Sequence, residues 1–439
     1  MIKYILFTIT LVLSSGLHGQ EAMTLPKAIS MALENNYGIV IADKFIEIAE
    51  NNDTWARAGA APAVDLTGTF NNSMTKDNNP ASFLQGSFYN GSLGASLGAN
   101  WILYAGGRVK IVKDQLELAT TRERLDKEVN IHSLVRDIYQ QYYTVIFQQE
   151  RLEVLRSSYE LSKGRLVYEQ LKREYGTSNS FSIVQFENAL VVDSINVITQ
   201  DQQVEIAKRN LYNTLDVVGA PNYQYLERLS VTDEELDGES LKAIMSEDNY
   251  TLKSLQMVSD LNVLNTKLAR AARKPSVSLN GSVGFSENAF KFFADDPMTG
   301  QPFDLLFSNR LQGSVGLQAS WNLYDGGVRS GDVQNATIQQ DIDLLSIEEA
   351  KANLTSQLDL LISNYDNQRE LLKLSDDQIQ VSQRNLEMTE ERFKGGQVTS
   401  LDFRNVQLQY LNAAFAKVNA IYNMILTKIE IDFLVGKFE

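Results

Sequence analysis

Cysteine is absent and histidine occurs only at His18 and His132, which removes most routes to covalent or metal chemistry. Without cysteine there are no disulfides, thiolate nucleophiles or cysteine–metal sites, and no lipidated N-terminal cysteine. His18 falls in an expected export signal, so one histidine remains, too few for a His-rich metal site and poor support for a Ser–His triad. His132 lies in a helical pattern and reads as a packing or helix-surface residue. No Gly-rich phosphate loop, metal-ligand cluster or nucleophile–base arrangement occurs. The chain is therefore not read as an enzyme, and no catalytic residue, cofactor or metal is expected. What the side chains can do is sort lipid from water.

That sorting is visible in four segments of period two. Val64, Leu66, Gly68 and Phe70 alternate with Asp65, Thr67 and Thr69, and Leu93, Ala95, Leu97, Ala99, Trp101 and Leu103 alternate with Ser, Gly and Asn. Val277, Leu279, Val283 and Phe285, then Leu311, Val315, Leu317, Ala319, Trp321 and Leu323, repeat the pattern. Such alternation predicts β-strands with one apolar and one polar face. The polar face is nearly all Ser, Thr, Asn, Gln and Gly, which suits a narrow water-filled lumen, while the apolar face suits lipid. Trp101 and Trp321 close two strands, each with a tyrosine three residues on (Tyr104, Tyr324), and Trp55 precedes the first strand. A single Trp-x-Leu-Tyr fits a core edge; two at matching strand ends favour a girdle at the membrane–water boundary. Lipid tolerates no unpaired strand edge, and known membrane barrels begin at about 8 strands, so several copies of a four-stranded chain must share one barrel. Long connections over 71–91 and 286–310 are expected outside the cell, which sends the helices into the periplasm.

The elements that carry these strands come in two copies. Trp101-Ile-Leu-Tyr-Ala-Gly106-Gly107 recurs as Trp321-Asn-Leu-Tyr-Asp-Gly326-Gly327 at an offset of 220, as do Gly176 and Ser180 in Gly396 and Ser400. Upstream the offset is 213: Asn36-Tyr37 matches Asn249-Tyr250, Arg57 matches Arg270 and Pro62 matches Pro275. No proline lies in 81–220 or 303–439, which permits long helices. Ile131, Ile138, Val145, Leu152, Tyr159 and Leu166 are seven apart, as are Leu358, Tyr365, Leu372, Ile379, Leu386 and Phe393. A strict seven-residue repeat predicts left-handed coiled-coil packing. The expected organisation is a signal over 1–20, a first repeat over 21–220 and a second over 221–439. The first holds a helix near 25–58, strands near 64–70 and 92–104 and a helical hairpin near 108–218; the second holds a helix near 240–272, strands near 277–285 and 311–324 and a hairpin near 328–435. Gly106-Gly107 and Gly326-Gly327 mark the strand-to-helix turns, and Pro221 lies in the link between repeats. Outside the signal no stretch approaches the roughly 20 apolar residues of a membrane helix.

The formal charge is −15, without basic clusters, which argues against nucleic acid as a partner. Solubility of a large surface and an acidic, cation-favouring lumen both fit that total. A soluble coiled-coil protein is the main rival to a channel, and the four alternating strands, two of them ending in Trp, count against it.

These residues together resemble the TolC-type outer-membrane efflux proteins over nearly the whole chain after the signal. The features that carry the likeness are the duplication, Ala271-Ala-Arg-Lys-Pro275 leading into a strand, Trp321-Asn-Leu-Tyr-Asp-Gly-Gly327 leaving one, and Arg392-Phe-Lys-Gly-Gly396 at a helical tip. The resemblance implies a mixed α and β fold, in which a long α-helical coiled-coil barrel adjoins a transmembrane β-barrel with four strands per chain and twelve in a homotrimer. It implies docking to a periplasmic adaptor and an inner-membrane pump of proton-driven or ATP-driven type, in efflux or type I secretion. The alternative is a passive porin or structural envelope protein without a pump. In the family, acidic residues just past the second tip narrow the periplasmic aperture; Asp402 occupies the first such position, Asn405 departs from the second, and Ser182 stands at the first repeat's tip. Asp402 also fits a plain helix-capping role. Family geometry makes Gly176, Thr177, Ser178, Gly396, Gln397, Val398 and Thr399 the expected adaptor contacts.

Overall fold

The computed structural model describes residues 22–78, 86–176, 179–217, 223–293, 295–296 and 298–438. The signal at 1–20, Thr177, Ser178 and Pro221 lie outside the described residues. The element order is α1 Leu25–Asn35, α2 Tyr37–Asn52, β1 Ala63–Asp77, β2 Gly86–Ala105, α3 Arg108–Glu174, α4 Ser180–Thr214, α5 Gly238–Asp248, α6 Tyr250–Ala271, β3 Ser276–Phe292, β4 Leu306–Ser320, α7 Val328–Lys394 and α8 Ser400–Val435. The two long helices, α3 and α7, are each 67 residues, as the proline-free, seven-spaced stretches require. The chain forms two compact units, one from 22–44, 125–254 and 347–438, the other from 45–124 and 255–346.

The first unit is helical. In its first repeat Ile138, Tyr142, Val145 and Ile146 of α3 pack on Ala28 and Ala32 of α1 and on Ala207 and Leu211 of α4. In its second, Leu358 and Tyr365 of α7 pack on Leu241 and Met245 of α5 and on Met424 and Ile431 of α8. The helices expected over 25–58 and 240–272 are each two helices, broken at Asn36 and Asn249. Both asparagines are extended and end one helix while capping the next. The Asn36 side chain accepts from the Gly38 amide at 2.9 Å, and that of Asn249 accepts from Leu252 at 3.1 Å. Their amide groups then reach equivalent places: Asn36 donates to Asp216 at 3.1 Å and buried Asn249 to the Leu434 carbonyl at 2.7 Å. Asp216 and Gly436 sit at the repeat offset, and both are left-handed, with φ of 52° and 80°. Replacing Asn249 by alanine removes a cap and leaves the Leu434 carbonyl unbonded. A loss of about 2 kcal/mol in urea unfolding is expected; an unchanged midpoint would mean that the helix break needs no cap.

His132 of α3 lies in the same unit, with ring centroids 4.7 Å from Tyr250 and 4.9 Å from Phe433 and Phe438. Burial, then the charges of Arg136 and Lys253, push its pKa down to about 4 from an ordinary 6.5. The unfolded chain therefore takes up the proton first. Stability is full above about pH 6.5 and falls as pH drops towards 4, by on the order of 2 kcal/mol once salt screening of the two cations is allowed for. His132→Phe should flatten that part of the pH–stability curve; a curve that keeps its slope would place the titration elsewhere.

Helix α4 corrects one expectation, because by length and composition it is apolar enough to cross a membrane. Inside the helical unit its Asp193 and Gln200 are instead bonded to neighbouring helices, at 2.7 Å to Arg404 and 2.7 Å to Gln148.

The second unit holds one antiparallel sheet in the order β1-β2-β3-β4. Pairing runs Ala63↔Asn100 to Asp77↔Gly86, Phe88↔Phe292 to Ala105↔Ser276, and Ser276↔Ser320 to Phe290↔Leu306. The strands are longer at their hairpin ends than the alternation alone predicts, so they take up 71–77 and 86–91 of the connection expected over 71–91, and 286–292 and 306–310 of that expected over 286–310. Backbone pairing does not depend on side-chain polarity, and it continues after the apolar alternation stops. At the other end β4 stops at Ser320, short of the expected 324, because its partner β3 begins opposite it at Ser276. Trp321 and Tyr324 therefore lie beyond the strand. Strand β2 does reach Ala105, through a bulge between Ile102 and Tyr104.

Candidate functional site

The register separates the two faces of the sheet. Leu66, Leu97 and Val283 stand abreast on one face, Ala95, Phe285 and Leu311 on the next row, and Leu279 with Leu317 beside Trp101. Many of these side chains are exposed, Leu66 at 77% and Val315 at 83%, an arrangement that water alone would oppose at about 25 cal/mol per Å². On β1 and β2 the apolar band runs from the level of the Val277–Ala319 row to the Phe70–Leu93 row, about 34 Å of strand or about 26 Å of height at a barrel tilt of about 40°; on β3 and β4 it stops one row earlier, at Phe285–Leu311, because the next row there is Glu287–Asn309. That matches the hydrocarbon core an outer-membrane barrel must cross.

The opposite face is polar and self-bonded. Asp65, Gly98, Ser282 and Ser314 form one row, and Thr67, Ser96, Gly284 and Gln312 the next. Ser282 and Ser314 hydroxyls are 2.8 Å apart, and Asn100 donates to Asn280 at 2.6 Å. A shallow concavity of about 340 Å³ lies here, edged by Thr67, Ser96, Ser282, Arg310 and Gln312. Among the described residues, neither β1 nor β4 has a strand on its outer side.

The aromatic residues singled out in the sequence lie at the helix-joined end of the sheet. The Trp101 indole donates to the Ala60 carbonyl at 2.7 Å and that of Trp321 to Arg273 at 3.1 Å, so both rings are held by chain just upstream of a strand. Trp55, Tyr104 and Tyr324 are exposed as well. Behind them, Gly106, Gly107, Gly326 and Gly327 all have φ between 65° and 90°, which explains glycine in both copies. A Cβ at Gly106 would lie 2.4 Å from the Ala271 carbonyl oxygen. In the second copy Asp325 adds a cap, accepting from Gly327 at 3.1 Å and Arg329 at 3.3 Å.

The tips of the two helical hairpins are built alike. Gly176 and Gly396 are left-handed, with φ of 73° and 72°, and the Gln397 amide donates to Arg392 at 2.9 Å to close the end of α7. Asn179 caps α4 by accepting from Ser182 at 2.8 Å. Thr399 caps α8 in a reciprocal box: its hydroxyl accepts from the Asp402 amide at 3.2 Å, and Asp402 Oδ2 accepts from the Thr399 amide at 3.0 Å and hydroxyl at 2.7 Å. Those bonds from Thr399 hold the Asp402 carboxyl below the usual range. Asp402 and Asn405 are exposed, three residues apart on one face of α8. Asp402 is thus a cap by observation and an aperture residue only by resemblance.

Sequence reasoning missed a polar cluster just behind the tips. Arg404 of α8 makes a two-pronged pair with Asp193 of α4, at 2.8 and 2.7 Å. Ser162 of α3 donates to the same carboxylate at 2.6 Å, and Gln407 donates to Ser162 at 2.9 Å and to the Ser158 carbonyl at 3.1 Å. The Asp193 side chain is 2% exposed. Nearby, Arg165 pairs with Glu390, which also meets Lys394 at 2.9 Å. Burial alone would raise the Glu390 carboxyl, but the bonds from Lys394 and Arg165 hold it low. The available signal was an acid, Asp193, within a helix apolar enough by length and composition to cross a membrane. Below the cluster Phe186, Leu386, Phe393 and Phe403 form an apolar floor.

A two-faced four-stranded sheet joined to paired 67-residue helices is the fold of the TolC-type outer-membrane channels. Residues 251–437 match the family model described as outer membrane efflux protein, so the resemblance holds in sequence as well as in fold. The chain is similar in structure to the Campylobacter jejuni CmeC outer membrane channel, with 16% identity, a TM-score of 0.73, and 96% of this chain and 90% of that one covered. It is similar to CusC, whose structures concern transmembrane channel formation, with 14% identity, a TM-score of 0.73, and 95% and 93% covered. For the Vibrio cholerae outer membrane protein VceC the values are 13%, 0.72, 94% and 96%. No curated protein matches the chain by sequence.

Proposed function

We propose that the chain is one subunit of a homotrimeric outer-membrane channel that takes substrate from a periplasmic adaptor and an inner-membrane pump and releases it outside the cell. The observation that carries this reading is the sheet: one lipid-compatible face, one hydroxyl- and amide-lined face, and two edges without a strand neighbour among the described residues. Four strands cannot close around a lumen, while three chains supply twelve. After a signal over 1–20, the repeats 21–220 and 221–439 each contribute two strands and one long hairpin. The polar face lines the conduit and the apolar face meets outer-membrane lipid. Trp55, Trp101, Tyr104, Trp321 and Tyr324 anchor the barrel at its periplasmic boundary, and the helices stand in the periplasm.

In this reading the tips meet the adaptor through Gly176, Thr177, Ser178, Gly396, Gln397, Val398 and Thr399, and the aperture is narrowed by Asp402 with Asn405 and Ser182. A photo-crosslinkable residue at Val398 in living cells is expected to capture an adaptor. A proton-driven partner would indicate small-molecule efflux and an ATP-driven one secretion. Outer-membrane trimers that capture nothing would favour a passive porin. Asp402→Ala should weaken block by multivalent cations added from the helical side and remove one half of the capping box; undiminished block would remove Asp402 from the aperture.

A further inference from the structure

The polar face of the sheet changes character at its hairpin end. Phe88 pairs with Phe292, and both lie an even number of residues from Ser96 and Ser282, hence on the polar face and not the lipid face. Their ring centroids are 5.8 Å apart, and Phe303, from the loop after β3, lies 5.4 Å from Phe292. The loop therefore folds over the same face. Phe290 and Leu306 form the adjoining row.

The loop is a built structure. Asp295 bridges to Pro302, the Asp296 amide donates to Gln301 at 2.8 Å and Gly300 donates to Asp296 at 2.8 Å. The Asp296 carboxylate accepts from the Met298 amide at 2.8 Å and the Thr299 hydroxyl at 3.0 Å. Those bonds hold it ionised, below the ordinary carboxylate range. Asp295, Asp296 and Asp304 flank Phe303 in sequence, and Asp77 ends the pairing one row beyond Phe88. The basic residue on this face of the sheet, Arg310, is level with Gly94, about 20 Å along the strand from Phe88.

We propose that Phe88, Phe292 and Phe303, with the acids around them, form a binding site for apolar organic cations at the outer mouth of the channel, one site per chain. Ring faces attract a poorly hydrated cation and its alkyl groups together, and the surrounding carboxylates favour positive charge. This rests on the reading that the polar face lines the conduit.

The test uses the purified full-length trimer in planar bilayers, with tetrabutylammonium or tetramethylammonium added on the hairpin side. Tetrabutylammonium is expected to block at about tenfold lower concentration, and Phe303→Ser, a loop change that spares the strands, should remove that preference. Phe88→Leu keeps the bulk but not the ring face and should weaken block about fivefold. Equal block by the two cations, or block unchanged in both variants, would overturn the site. A protein that forms no conducting pore would overturn the channel reading and this one together. A conducting pore whose helical-side block by multivalent cations is intact, but whose variants bind tetrabutylammonium as the parent does, would overturn this site alone.

Discussion

Arg404→Ala is expected to destabilise the helical unit by about 3–5 kcal/mol, because it strands a carboxylate in the interior. Asp193 is 2% exposed and receives both prongs of the guanidinium. With Arg404 gone, that carboxylate keeps the Ser162 hydroxyl at 2.6 Å, too little to replace a charge-assisted pair. The double change Asp193→Leu with Arg404→Leu should recover most of the loss, since an apolar pair of similar bulk needs no solvation. Urea unfolding followed by helical circular dichroism measures both. If the double variant is as unstable as Arg404→Ala, the pair acts through its hydrogen-bond geometry with Ser162 and Gln407 and not by neutralising a buried charge.

Leu97→Lys is expected to cost about 2–4 kcal/mol in the folding of the barrel into a bilayer, and Ser96→Lys close to nothing. The two residues are neighbours on β2 and face opposite ways. Leu97 stands between Leu66 and Val283, within the band of apolar rows, while Ser96 stands between Thr67 and Gly284 on the hydroxyl-lined face. A lysine at 97 must carry its ammonium to the lipid boundary, and one at 96 points into water. Refolding into lipid vesicles from urea, scored by the heat-resistant oligomer, separates them. Equal losses would mean that both faces are dry, and the membrane reading of the sheet would fail. In the proposed trimer Ser96→Lys also adds three positive charges to the conduit, so reduced cation conductance with intact folding would identify the wet face directly.

Much of this architecture was legible in the residues before any fold was known. The two long helices follow from proline-free stretches with apolar residues seven apart, and both are 67 residues long. The paired glycines at 106–107 and 326–327 announced turns that only glycine makes easily, and each has a positive φ. The two faces of the sheet follow from strict alternation, because successive side chains on a strand point to opposite sides whatever the partner strand is. The proposal that further copies of the chain complete the barrel rests on four strands and the intolerance of lipid for open edges.

What alternation and heptads could not reach depends on which residues meet across the fold. The breaks at Asn36 and Asn249 are invisible to periodicity, since both halves of each helix keep their apolar spacing and the break is set by bonds to Asp216 and to the Leu434 carbonyl. The end of β4 at Ser320 was decided by where β3 begins, because a strand lasts only as long as its ladder. Asp402 is a residue type that serves equally as a cap or as pore charge, and only its bonds to Thr399 identify the cap. The Asp193–Arg404 cluster joins residues 211 apart, so no local pattern contains it. Sequence alone determined what each element must be and which face it must hide, because those properties are periodic and local. Tertiary structure alone decided where elements stop and which buried polar groups pair, because both are settled by partners distant in the chain.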